Sequence, residues 1–107
     1  MSDIDWLKAN GFRQMHETVW SASASAADFV GRTWLRHAPD GTVCRVTDVG
    51  NGTWEARAAN MDDRRAYEQI SEEWLVVQAA SAQEAVEKAL NKWKKVYRAW
   101  MEGDNER

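Results

Sequence analysis

The sequence predicts an α+β domain: an antiparallel sheet of three or four strands, a long C-terminal helix packed on one face, and a short N-terminal helix. Three observations carry that prediction. Turn signals at Pro39-Asp40-Gly41 and Gly50-Asn51-Gly52 divide three segments of β-like alternation. A capping box at Ser81 opens an apolar stripe of helical period. Finally, 107 residues with 44% hydrophobic and 29% charged side chains suit a single domain, 1–107, with one core.

The first element, Ser2 to Gly11, reads as a short helix. Ser2 or Asp3 caps it, Asp5 adds negative charge to the first turn, and Asn10-Gly11 ends it. Ile4, Leu7 and Trp6 are expected to face inward. Phe12 to Trp20 has the mixed alternation of a strand. The small-residue run Ser21 to Ala27 reads as a loop or edge segment, with a binding loop as the functional alternative.

Arg32–Ala38 and Thr42–Val49 form the arms of a β-hairpin, and Thr53–Ala58 adds a third strand. Pairing Ala38 with Thr42 and Val49 with Thr53 nearest the turns puts Trp34, Cys44, Val46, Trp54, Ala56 and Ala58 on one face. Leu35, Val43, Arg45, Thr47, Thr53, Glu55 and Arg57 fall on the other. Period-two alternation assigns the first set to the core and the second largely to water. In this register Arg45 lies opposite Arg57, with Glu55 near enough to temper the repulsion.

Asn60 to Ser71 reads equally as a short helix capped by Asn60 or as a loop. Glu73 to Ala79 is apolar on both faces, the pattern of a strand with neighbours on each side, so a central position is expected. From Ser81 a helix of about five turns follows. Val86, Leu90, Trp93, Tyr97 and Trp100 draw one stripe along it, Glu84 and Lys88 form an i,i+4 pair, and an end is expected near Met101, with 103–107 as a frayed tail.

Composition narrows the function classes. The net charge is −3. Residues 1–80 hold eight basic and twelve acidic side chains, whereas residues 81–102 hold five basic and three acidic ones. An acidic body argues against binding driven mainly by phosphate neutralisation. The acidic N-terminus and the lack of a long apolar run predict neither signal peptide nor membrane segment. A lone cysteine, Cys44, excludes an internal disulfide and fits a cytoplasmic protein. Seven tryptophans supply large core side chains or exposed binding anchors. Trp34, Trp54, Trp74 and Trp93 suit the core, leaving Trp20 and Trp100 as anchor candidates.

The chemistry-bearing inventory is thin. His16, His37 and Cys44 are the only histidines and cysteine. In the hairpin register His37 lies opposite Val43 and Cys44 opposite Arg36, so thiol and imidazole point to different faces and form no nucleophile pair. Adjacent acids at Asp62-Asp63 and Glu72-Glu73 do not converge on a metal, and no phosphate-binding glycine motif is present. The sequence therefore predicts no enzyme, no cofactor and no metal. Its sharpest binding candidate is the basic stretch Lys88, Lys92, Lys94, Lys95 and Arg98. Lys88, Lys92 and Lys95 share one helix face, with Trp93, Tyr97 and Trp100 around the corner. The bland alternative is a solvated face whose lysines complement the helix dipole.

The run "DGTVCRVTDVGNGTWEAR", an apolar strand, then "SAQEAVEKALNKW" resembles in layout the sheet-plus-helix module of phage integrase arm-binding domains, over about residues 32–102. Those modules carry a basic sheet; here that face offers only Arg45 and Arg57. In size and charge the whole chain resembles the small acidic accessory proteins of phages and mobile elements, including anti-CRISPR proteins. That resemblance implies a non-catalytic module that binds and blocks a host protein complex. The runner-up expectation is nonspecific nucleic-acid binding through the C-terminal helix, and the third is a self-associating structural protein. The candidate partner-binding residues are Trp20, Trp100, Lys88, Lys92, Lys95, Arg45 and Arg57.

Overall fold

Hairpin chemistry sets the frame. Pro39 and Asp40 lead into Gly41, whose φ of +90° only glycine adopts freely, and the Ala38 N–H bonds the Thr42 carbonyl at 2.8 Å to close the loop. Gly50, Asn51 and Gly52 all have positive φ in the second turn. The computed structural model describes residues 2–15, 32–70 and 75–105. In chain order the elements are α1 (Asp3–Ala9), β1 (Arg13–Gln14), β2 (Thr33–His37), β3 (Thr42–Gly50), β4 (Thr53–Asn60), α2 (Arg64–Gln69), β5 (Val77–Ala79) and α3 (Ala82–Asn105).

The fold is α+β as expected, but the described sheet has five antiparallel strands in the order β1-β2-β3-β4-β5 rather than three or four. The extra members are short. β1 supplies two residues from the segment expected to be a strand, and residues 16–20 of that segment, like the Ser21–Ala27 run, lie outside the described residues. Both hairpin registers hold: His37 pairs with Val43, Arg36 with Cys44, and Thr47 with Glu55. One departure occurs at the second turn, where the register shifts between Asp48 and Gly50.

The position of β5 corrects an expectation. Among the described residues it pairs only with β4, so it lies at an edge. Its apolar character reflects cover by α3, against which Val77 and Ala79 are half-buried, and Val76 stays exposed. A single layer above a short strand requires the same residues as a second neighbouring strand, so composition does not separate the two.

The core lies between α3 and the inner sheet face. Trp34, Cys44, Val46, Trp54, Ala56 and Ala58 are buried there, as alternation predicts. The outer-face residues Leu35, Val43, Arg45, Thr47, Glu55 and Arg57 are half-buried, less open to water than expected. Thr33, at 1% exposure, hydrogen-bonds Thr47 hydroxyl to hydroxyl at 2.9 Å.

Helix α3 lies chiefly over β4. Ala82, Ala85 and Ala89 have no exposed surface and Val86 almost none. They share one buried cluster with Ala56 and Ala58 of β4, and with Trp34, Trp54 and Trp93. The expected stripe is therefore displaced toward these alanines: Leu90, Tyr97 and Trp100 are only half-buried.

The N-terminal helix meets the start of α3. The Glu84 N–H bonds the Ser81 hydroxyl at 3.2 Å, the expected cap, and the Ala82 N–H bonds a carboxylate oxygen of Asp3 at 2.8 Å. Helix α1 is capped in turn by Ser2, which accepts from the Asp5 N–H at 3.1 Å. Its Leu7 is fully buried and Trp6 half-buried, but Ile4 is 48% exposed, against expectation. Helix α2 settles the open reading of residues 60–71; its cap is Asp63, not Asn60.

Candidate functional site

The reactive inventory carries little chemistry. Cys44 is buried under the helix, and burial pushes its thiol up to about 11, which suppresses the nucleophilic thiolate. His37 is exposed at the end of β2, across from Val43. Among the described residues, no three His, Cys, Asp or Glu side chains come together as a metal site. Nor is any described helix long and apolar enough to cross a membrane.

What stands out instead is the second half of α3. Burial ends at Trp93; Val96, Tyr97 and Trp100 pack only partly against the core. Their rings form a ladder along the helix, Trp93 to Tyr97 at 5.0 Å between centroids and Tyr97 to Trp100 at 6.0 Å, both stacked. Helix α2 ties down the polar tips. The Tyr97 hydroxyl donates a short hydrogen bond to Asp63, and the Trp100 Nε1–H donates to Gln69 Oε1 at 3.0 Å. The Arg65 guanidinium lies 5.8 Å from the Trp100 ring centroid.

Asp63 serves two helices at once. Its carboxylate caps α2 by accepting from the Ala66 N–H at 3.0 Å, and it receives the Tyr97 hydroxyl. The Tyr97 bond, followed by the Ala66 bond, holds the Asp63 carboxyl below its ordinary range. The same bond, with some desolvation, raises the Tyr97 phenol.

The opposite side of these turns is cationic. Residues 88–101 hold five basic and no acidic side chains, while the rest of the chain holds nine basic against seventeen acidic, a balance of −8. Lys88 is neutralised by Glu84 at 3.2 Å. Lys92, Lys94, Lys95 and Arg98 are exposed and make no ion pair among the described residues. Lys94 and Arg98 form a ridge between two shallow depressions. One is lined by Trp93, Tyr97, Met101 and Glu102, the other by Asn91, Lys95, Ala99 and Glu102. Met101 is 43% exposed.

The candidate residues read from the sequence separate into three groups. Lys92 and Lys95 belong to this face, Lys88 is ion-paired beside it, and Trp100 is half-buried with its N–H already engaged. Arg45 and Arg57 face each other on the outer sheet surface, remote in the fold from the inner face that α3 covers. Trp20 and Trp74 lie outside the described residues. Lys94 and Arg98, members of the basic stretch though not of the narrower set of partner-binding candidates, also belong to this face, and Met101 is the residue that the sequence reading omits. The signal for them was present: Lys94, Arg98 and Met101 are spaced i, i+4, i+7, which places them on one side of a helix. No protein-family model matches this chain, nor does any curated protein or solved structure.

Proposed function

We propose that this protein is a non-catalytic protein-binding module, acting in the cytoplasm as an inhibitor or adaptor that blocks a host protein complex. Phage and mobile-element accessory proteins of the anti-CRISPR kind, which the chain resembles in size and acidic balance, supply the setting. One observation carries the reading: the last turns of α3 present exposed cations and a methionine beside aromatic rings that are only half-buried. Beyond Trp93 no described side chain of α3 is fully buried, and the helix continues to Asn105.

Affinity capture from a bacterial lysate, followed by reconstitution with the purified candidate, tests the proposal. A partner that forms a stoichiometric complex in solution supports it. Failure of every captured protein to reconstitute would sink it.

Nonspecific nucleic-acid binding is the second reading, and the cations Lys92, Lys94, Lys95 and Arg98, without an ion pair among the described residues, are the observation in its favour. It predicts retention on DNA or RNA at low salt and steep loss as salt rises.

A further inference from the structure

We infer that the last three turns of α3 dock a short acidic, amphipathic segment of the partner protein. Its carboxylates would meet Lys92, Lys94, Lys95 and Arg98, and an apolar side chain would enter the depression lined by Trp93, Tyr97 and Met101. This rests on the protein-binding reading and adds to it the surface and the chemistry of the occupant.

Charge complementarity is the first support. Four cations stand within seven residues without a carboxylate partner among the described residues, although the remainder of the chain is acidic. Opposite charge from outside the chain balances them. The second support is apolar. A methionine side chain adapts its shape to an incoming group, and Met101 lines this depression together with Trp93 and Tyr97. Cations bordering an apolar depression suit an amphipathic segment laid along the helix.

A nucleic acid fits the same place less well. Base stacking needs an open aromatic face. Here Trp93 is buried, Tyr97 is stacked on both of its neighbours, and Arg65 lies near Trp100. A long polyanion running past the helix end would also meet the negative end of the helix dipole and the acidic remainder of the chain. A segment a few residues long meets Glu102, which lines both depressions, but avoids the acidic remainder of the chain, since screening acts over about 8–10 Å.

A random-peptide display library provides an unbiased probe. Selection on the wild-type protein, with counter-selection on the Lys94→Gln/Arg98→Gln double variant, is expected to enrich peptides of net negative charge that alternate with apolar residues. The best of them, measured by fluorescence anisotropy, should bind the double variant about tenfold more weakly, given two exposed ion pairs lost. Arg64→Gln, an exposed change on α2, should leave binding unchanged. Met101→Ser should weaken it severalfold, and circular dichroism should show all variants folded. Enrichment of neutral or basic peptides, or of peptides indifferent to the double variant, would overturn the inference. So would tighter binding of single- or double-stranded oligonucleotides than of any selected peptide. A concentration-dependent mass in sedimentation that the double variant abolishes would assign the face to a second copy of the chain and also overturn it. If the double variant still reconstitutes with a captured partner at wild-type affinity, this surface is wrong and the protein-binding reading stands. If no partner reconstitutes with the wild-type protein, both fail.

Discussion

The two halves of helix α3 share one backbone and solve opposite problems. From Ala82 to Ala89 the inward positions are alanine or valine with essentially no exposed surface, and the helix packs on β4, whose Ala56 and Ala58 belong to the same buried cluster. From Trp93 onward the inward positions are large aromatics, half-buried beyond the first, with polar tips bound to α2. Small residues let two backbones approach; large amphipathic ones bridge a gap that closes only partly. The first half is packing, and the second half can be both support and contact surface. The difference teaches that an apolar stripe of constant period need not have constant purpose.

Substitutions that damage one half and spare the other test this contrast. Trp93→Ala, at the end of the seated half, should cost about 3–5 kcal/mol in denaturant unfolding, as large aromatic deletions do. Trp100→Ala, on the same stripe but half-buried, should cost clearly less. Equal losses would erase the distinction between the halves.

Ala85→Leu should lower stability by about 1–3 kcal/mol through overpacking against the sheet. Ala99→Leu, on the exposed side of the second half, should change it by no more than about 0.5 kcal/mol. Similar effects at both positions would mean that the first half is not closely seated.

The link between α2 and the second half should respond to pH at both extremes. The Asp63 carboxyl is depressed in the folded protein, so its contribution is present above the ordinary carboxylate range and lost as pH falls through the lowered value. The Tyr97 phenol is raised, so its contribution is complete below its ordinary value and lost as pH rises through the raised one. In a Tyr67→Phe background, phenolate absorbance should show Tyr97 ionising later than a free tyrosine. Asp63→Asn should bring that titration down. A Tyr97 titration unaffected by the change would break the link.

The smallest effect on stability is expected at the cations. Changing Lys92, Lys94, Lys95 and Arg98 singly to Gln should move unfolding free energy by no more than about 0.5 kcal/mol each. Binding, not folding, should register the loss. A large destabilisation would make this face structural.

Much of this is legible in the sequence. The two hairpin registers, the six inner-face residues Trp34, Cys44, Val46, Trp54, Ala56 and Ala58, the caps at Ser2 and Ser81, and the Glu84–Lys88 pair all rest on turn residues and periodicity within a few positions of each other. The candidate face is largely legible: the basic stretch from Lys88 to Arg98 marks its cations, whereas the place of Met101 beside them depends on which side of α3 the sheet covers. Periodicity orients a helix only as sharply as its apolar arc is narrow, and alanines at positions 82, 85 and 89 weaken that signal.

Local chemistry, then, determined the elements, the hairpin pairing and the inward face of each strand, because turns, caps and alternation act between near neighbours. Packing decided the rest. It put β5 at an edge, brought Asp3 to the start of α3 across 79 positions of sequence, and set Asp63 and Gln69 under Tyr97 and Trp100. Those contacts depend on where the chain returns in space. No short-range pattern encodes that return, and the surface left open on α3 is its consequence.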